Sequence, residues 1–133
     1  MSSSREVWER LSRAENELDT SGHGELLADD VVVHLPGGVE LKGLAAYRAM
    51  MDGIFGGLPD YSARAQHVAE VDDVVIVHWT ISGTHHGELF GIAPTGRTVS
   101  YRGCSVWRTD SGRIVEGWLY PDRASMLAQL GVE

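Results

Sequence analysis

Cysteine and lysine are almost absent from this chain of 133 residues. Cys104 stands alone, which excludes an intrachain disulfide, and nothing around it resembles a thiol metal site. Lys42 is the single lysine, and Lys and Arg together number 11 against 19 Asp and Glu, a formal charge of −8 with a pI near 5.1. Neutralising nucleic-acid phosphates needs clustered positive side chains, so no nucleic-acid partner is expected. No apolar run approaches the roughly 20 residues of a membrane span, and the opening MSSSREVWERL is too polar for the core of a secretory signal. A soluble, cytoplasmic protein without membrane association is the expectation. Internal repeats, low-complexity linkers and charge runs are absent too. Residues 1–133 therefore read as one domain, long enough to bury roughly two-thirds of its unfolded surface and to enclose a small pocket.

What is present is a change of period along the chain. Residues 4–20 start with serines that can cap, and carry Val7, Trp8, Leu11, Ala14, Glu15 and Leu18 at helical spacing. A short helical turn at 25–28 precedes the apolar run 31–35, and Pro36-Gly37-Gly38 turns it into a second short strand, 39–42. Residues 44–55 place Leu44, Tyr47, Met50, Met51, Ile54 and Phe55 on one helix face. From Tyr61 the period becomes two. Strands are predicted over 61–71, 74–84, 97–108 and 113–120, with tight turns at Asp72-Asp73 and Asp110-Ser111-Gly112 and a closing helix over 125–130. Gly83, Gly103 and Gly117 lie inside these strands, where bends or bulges are expected. The order predicts an α+β fold, with helices on one face of a curved, mostly antiparallel sheet and a cavity between them.

The segments GTHHGELFGIAPTGRTVSYRG, VWRTDSGRIVEGWLYPD and LAQLG, with DDVVVHLPGG and KGLAAYRAMM upstream, resemble the SnoaL-like polyketide cyclases, or ester cyclases, of the NTF2-like superfamily. The likeness covers nearly the whole chain. It implies an NTF2-like, cystatin-like cone with an internal pocket, a homodimer, and a cofactor-independent, acid/base, intramolecular aldol-type ring closure of a hydrophobic polyketide-like molecule. No metal and no cofactor are implied. It also implies that Asp122, which follows Trp118 by a few residues, is the acid/base. The family's histidine on a neighbouring strand has no counterpart in 97–108, where Arg102, Cys104 and Val106 stand instead.

Read by themselves, the residues leave several roles open. Asp122 at a strand-to-helix join suits a base held against Trp118 and Tyr120, and equally an N-cap. His34 stands at a position that the resemblance implies faces the cone, which makes it a second catalytic candidate as a donor to a developing enolate; by itself it reads equally as a satisfied core histidine. His78 faces opposite to Val75, Val77 and Trp79, and is counted with Trp118, Tyr120, Tyr101, Tyr47, Met51, Phe55 and Arg102 as a candidate substrate contact. Glu116 is read as an ion-pair partner of Arg102 or a second carboxylate. His85-His86 point to opposite strand faces and cannot share one metal ion without a bulge, and the resemblance, in which the GTH element recurs as a scaffold feature, implies a structural role for His85. An epoxide-hydrolase relay around Arg102 would need acids where Ser100 and Cys104 stand, and Cys104 has no identifiable base for nucleophilic catalysis. A ketosteroid-isomerase arrangement using Tyr47, Tyr101 or Tyr120 stays open, as do a hydrolase, a dehydratase and a non-catalytic ligand-binding module. The apolar run Val74-Val75-Ile76-Val77 fits a strand covered on both faces, once by helices and once by a second subunit.

Overall fold

The computed structural model describes residues 3–132. Helix α1 (Ser4–Asn16) opens with a capping box: Ser3 Oγ accepts from the Glu6 amide at 3.2 Å, and Glu6 Oε1 accepts from the Ser3 amide at 3.3 Å. It stops short of the predicted residue 20, because Leu18 adopts φ 56° and breaks the helical path. A one-turn helix α2 (His23–Leu26) leads into β1 (Leu27–Leu35). Pro36–Gly38 turns the chain with φ 82° at Gly37 and 75° at Gly38, values that an L side chain rarely tolerates, and β2 (Val39–Lys42) follows. After α3 (Leu44–Gly57) come four long strands, β3 (Ser62–Val71), β4 (Val74–Thr84), β5 (Thr98–Asp110) and β6 (Arg113–Pro121), then α4 (Arg123–Gln129).

The six strands form one sheet in the order β2-β1-β6-β5-β4-β3. All pairings are antiparallel except β1 with β6, which run parallel and set His34 beside Trp118. Register shifts between Ala65 and His67 and between Arg108 and Thr109 mark irregularities where the ladder bends. The curved sheet closes over α1 and α3 as a cone, and the core lies between them, with Val7, Leu11, Tyr47, Val75, Val77 and Trp107 all buried. The α+β expectation therefore holds.

The strand glycines have a more specific role than bending. Trp79 stands directly opposite Gly103, and Trp107 opposite Gly117. A Cβ on Gly103 would meet the Trp79 ring at 2.4 Å, and one on Gly117 would meet Trp107 at 2.5 Å. Each indole lies across a glycine of the neighbouring strand, on the concave face. Substituting Gly103 or Gly117 by Ala should destabilise the fold by about 1–3 kcal/mol through overpacking. Gly53, exposed inside α3 with nothing near its missing Cβ, should instead gain roughly 0.5–1 kcal/mol as Ala. Thermal melts of the three variants check both signs.

Candidate active site

The alternation of β5 and β6 decides which side chains meet inside the cone. Tyr101, Ser105 and Trp107 point inward from β5; across the ladder Ser105 faces Leu119 and Gly103 faces Pro121, so β6 turns Leu119 and Pro121 into the cone rather than Trp118 and Tyr120. With α1 and α3 they enclose a cavity of about 240 Å³. Its walls are almost wholly apolar or aromatic, including Leu11, Met51, Ile54, Tyr61, Val77 and Trp79. Exposed lining residues, among them Val39, Phe90 and Arg123, mark the mouth. There the Arg123 guanidinium carbon lies 5.0 Å from the Phe90 ring centre. The loop that carries Phe90 is held by His85, fully buried, which contacts Thr95 through Nδ1 at 3.0 Å and the Ile92 carbonyl through Nε2 at 3.2 Å. His85 is thus a scaffold residue.

Among the described residues, one carboxyl lines this cavity. Glu15 sits on the apolar stripe of α1, and its Oε2 accepts a 2.6 Å hydrogen bond from the Tyr47 hydroxyl on α3. Only 13 % of its side chain remains accessible, on a residue that lines the cavity. Burial penalises the charged form and pushes the Glu15 carboxyl up to about 7, against the smaller opposing effect of the Tyr47 hydrogen bond. Burial also drives the Tyr47 and Tyr61 hydroxyls well above their usual range, and Tyr101 to about 12, so all three stay neutral donors at physiological pH. Trp79 Nε1 donates to Ser105 Oγ at 2.7 Å, which leaves the Ser105 hydroxyl proton available to a ligand oxygen. A base poised near neutrality beside neutral hydroxyl donors is an arrangement suited to removing a proton next to a carbonyl.

The residues expected from sequence divide between the two faces of the sheet. Tyr47, Met51 and Tyr101 line the cavity, and Phe55 backs it, packed edge-on against Tyr61 with ring centres 5.1 Å apart. His34, His78, Arg102, Trp118 and Tyr120 do not line it. His34 stacks on Trp118 at 5.2 Å and bonds Glu116 Oε2 through Nε2 at 2.7 Å. Glu116 takes Arg108, not Arg102, as its second partner, at 3.1 Å, because Arg108 is its direct cross-strand neighbour. The His34 bond and then Arg108 hold the Glu116 carboxyl below its ordinary range. His78 stacks on His67 instead, with Nδ1 atoms 3.1 Å apart. Asp122 is exposed at the rim, between the lining residues Pro121 and Arg123, and its Oδ1 accepts from the Ser125 amide at 3.0 Å as the N-cap of α4. Glu15 was not singled out from the sequence, although an acid inside an otherwise apolar helical stripe was the available signal. Among the described residues no cluster of three His, Cys, Asp or Glu could hold a metal ion, and no helix is long and apolar enough to cross a membrane.

The family model for SnoaL-like polyketide cyclases matches residues 5–130. Among solved structures, the chain is similar to IdmH from Streptomyces antibioticus, a candidate polyketide cyclase, at 32% identity and a TM-score of 0.84 over 97% of this chain and 99% of that one. It is also similar to AclR from Streptomyces galilaeus, a candidate hydroxylase, at 26% identity and a TM-score of 0.86 over 96% of this chain and 80% of that one. A SnoaL-like protein from Jannaschia shares the fold at 16% identity, with a TM-score of 0.88 over 98% and 92% of the two chains. No curated protein matches the chain. The cone, its six-stranded sheet and the matched length agree, and the chain belongs to the SnoaL-like polyketide cyclase family of the NTF2-like superfamily.

Proposed function

We propose that this protein is a cofactor-independent cyclase that closes a ring in a hydrophobic, polyketide-like molecule by proton transfer, with Glu15 as the acid/base. The observation that carries the proposal is the Glu15 carboxyl inside an apolar cavity, hydrogen-bonded to Tyr47 and raised to about 7. Glu15 in its carboxylate form takes a proton from the carbon beside a carbonyl. The electron pair left behind forms an enolate, whose oxygen the neutral hydroxyls of Tyr101 or Ser105 stabilise. The enolate carbon then bonds to a second carbonyl carbon of the same molecule, and Glu15 returns the proton to the alkoxide so formed. No atom is lost and no redox partner is needed. The aromatic walls formed by Trp79, Trp107 and Tyr61 suit a flat, unsaturated ligand.

Within this proposal Asp122 serves α4 as its cap, while Glu15 carries the proton. Two copies of the chain associate through the outer sheet face, where Ile76, Val106 and Trp118 stand in one row across β4, β5 and β6 and Ile76 is 42% exposed.

Deuteration of 2-tetralone at the carbon beside its carbonyl, followed by NMR in heavy water, tests the chemistry without knowledge of the natural substrate. Glu15→Gln should lower the protein-dependent rate at least 100-fold, on the order of a lost general base, while Asp122→Asn, which keeps a capping oxygen, should stay within a few-fold of wild type. The reverse ranking would move the base to the rim. The raised carboxyl also costs stability. Below the unfolded value of 4.5 the carboxyl is protonated in both states and costs nothing; the cost grows as pH rises above 4.5 and is complete above about 7. Glu15→Gln should therefore be more stable than wild type by on the order of 3 kcal/mol at pH 8, with the advantage vanishing near pH 4, as read from urea titrations at both pH values. Ile76→Arg should convert a sedimenting dimer to monomer, and a wild-type monomer at micromolar concentration would remove the association.

A further inference from the structure

Behind Glu15, on α2, lies a histidine that the proton transfer described above does not use. His23 is completely buried, and neither of its ring nitrogens has a hydrogen-bond partner among the described residues. Its Nε2 lies 3.6 Å from Glu15 Oε2, the same oxygen that accepts from Tyr47, and its ring centre is 5.5 Å from that of Tyr47. A buried polar group without a partner is uncommon in a folded protein and calls for a reason. Here the imidazole stops just beyond hydrogen-bond distance of the one oxygen in the cavity wall whose charge would change during the reaction.

The geometry points to His23 as the positioning residue for Glu15. The neutral imidazole donates from Nε2 to the carboxylate when Glu15 gives up its proton, and the contact relaxes to its present length when Glu15 is protonated. The contact is not an ion pair at rest. Burial, reinforced by the nearby Arg48 guanidinium, lowers the His23 ring from its ordinary range and outweighs the opposing pull of Asp52 and Asp19. The charged and titratable groups around the pair are therefore Tyr47, Arg48 and Asp52 on α3, Asp19 in the turn before α2, and Tyr61 immediately before β3. Of these, Tyr47 hydrogen-bonds Glu15, and His23 is placed to become the second donor to the same oxygen. Two donors converging on one oxygen would hold the other oxygen free to face the ligand.

This inference rests on Glu15 as the proton-transfer group, but its test does not need turnover. Protein labelled with ¹³C at the glutamate side-chain carboxyls, with the Glu15 signal assigned by its loss in Glu15→Gln, gives the Glu15 titration directly by NMR. His23→Phe removes the donor and keeps a ring of similar volume, and should raise the Glu15 midpoint by about one pH unit. His23→Gln, whose amide can donate from a similar position, should stay within a few tenths of wild type. A histidine with a merely structural role would lower the melting temperature of both variants and leave the midpoint where it was. An unmoved midpoint in folded His23→Phe, or an equal shift in both variants, overturns the proposal, and His23→Leu replaces the phenyl variant should that one unfold. A shifted midpoint, together with 2-tetralone exchange that survives Glu15→Gln, would sink the proposed function and leave the His23 contact standing.

Discussion

A slip of β5 by one residue against β4 and β6 would turn Tyr101, Ser105 and Trp107 out of the cone and bring Arg102, Cys104 and Val106 in. The cavity depends on that register, and the register is pinned by two reciprocal fits. Trp79 fills the space above Gly103, and Trp107 fills the space above Gly117. Neither indole would have room above an alanine, so the pairing that sets the rings over glycines also gives the inner face its apolar walls. The turn at Ser111-Gly112, with φ 54° and 80°, keeps β5 and β6 in that alignment from the other end.

Inside those walls a carboxyl is costly, and its cost is what makes it useful. Glu15 would be ionised at neutral pH in water, but burial raises its proton affinity until gain and loss of a proton are nearly balanced at about pH 7. Tyr47 limits the rise by donating to the carboxyl, and burial keeps Tyr47 itself neutral. The outer face of the sheet shows the opposite regime. There Glu116 is held below its ordinary range by His34 and Arg108, which suits a charged pair open to solvent rather than a base.

Much of the fold was legible from local chemistry. The glycines after Pro36, the paired aspartates at 72–73 and the Ser111-Gly112 turn separate runs whose period changes from helical to alternating, and the strands lie within a few residues of their expected ends. The face that each strand turns inward was not legible, because both parities of β6 carry large side chains: Trp118 and Tyr120 on one, Leu119 on the other. The parallel pairing of β1 with β6, which takes His34 to Trp118 and Glu116, joins residues more than eighty positions apart and leaves no local trace. Glu15 was visible as one member of the α1 stripe, but its significance came only from the wall that Tyr47 and Tyr61 build around it. Asp122 was legible in both its capping and its catalytic sense, and the structure shows the cap formed.

Proton transfer at Glu15 inside the cone is the step on which the proposed ring closure turns. A crystal structure with 2-naphthol, the aromatic counterpart of the 2-tetralone enol, addresses it most directly. The naphthalene ring should lie between Trp79 and Trp107, with its hydroxyl oxygen within hydrogen-bond distance of Glu15. A naphthol bound with its hydroxyl on Asp122 at the rim, or against Trp118 on the outer face, would contradict it.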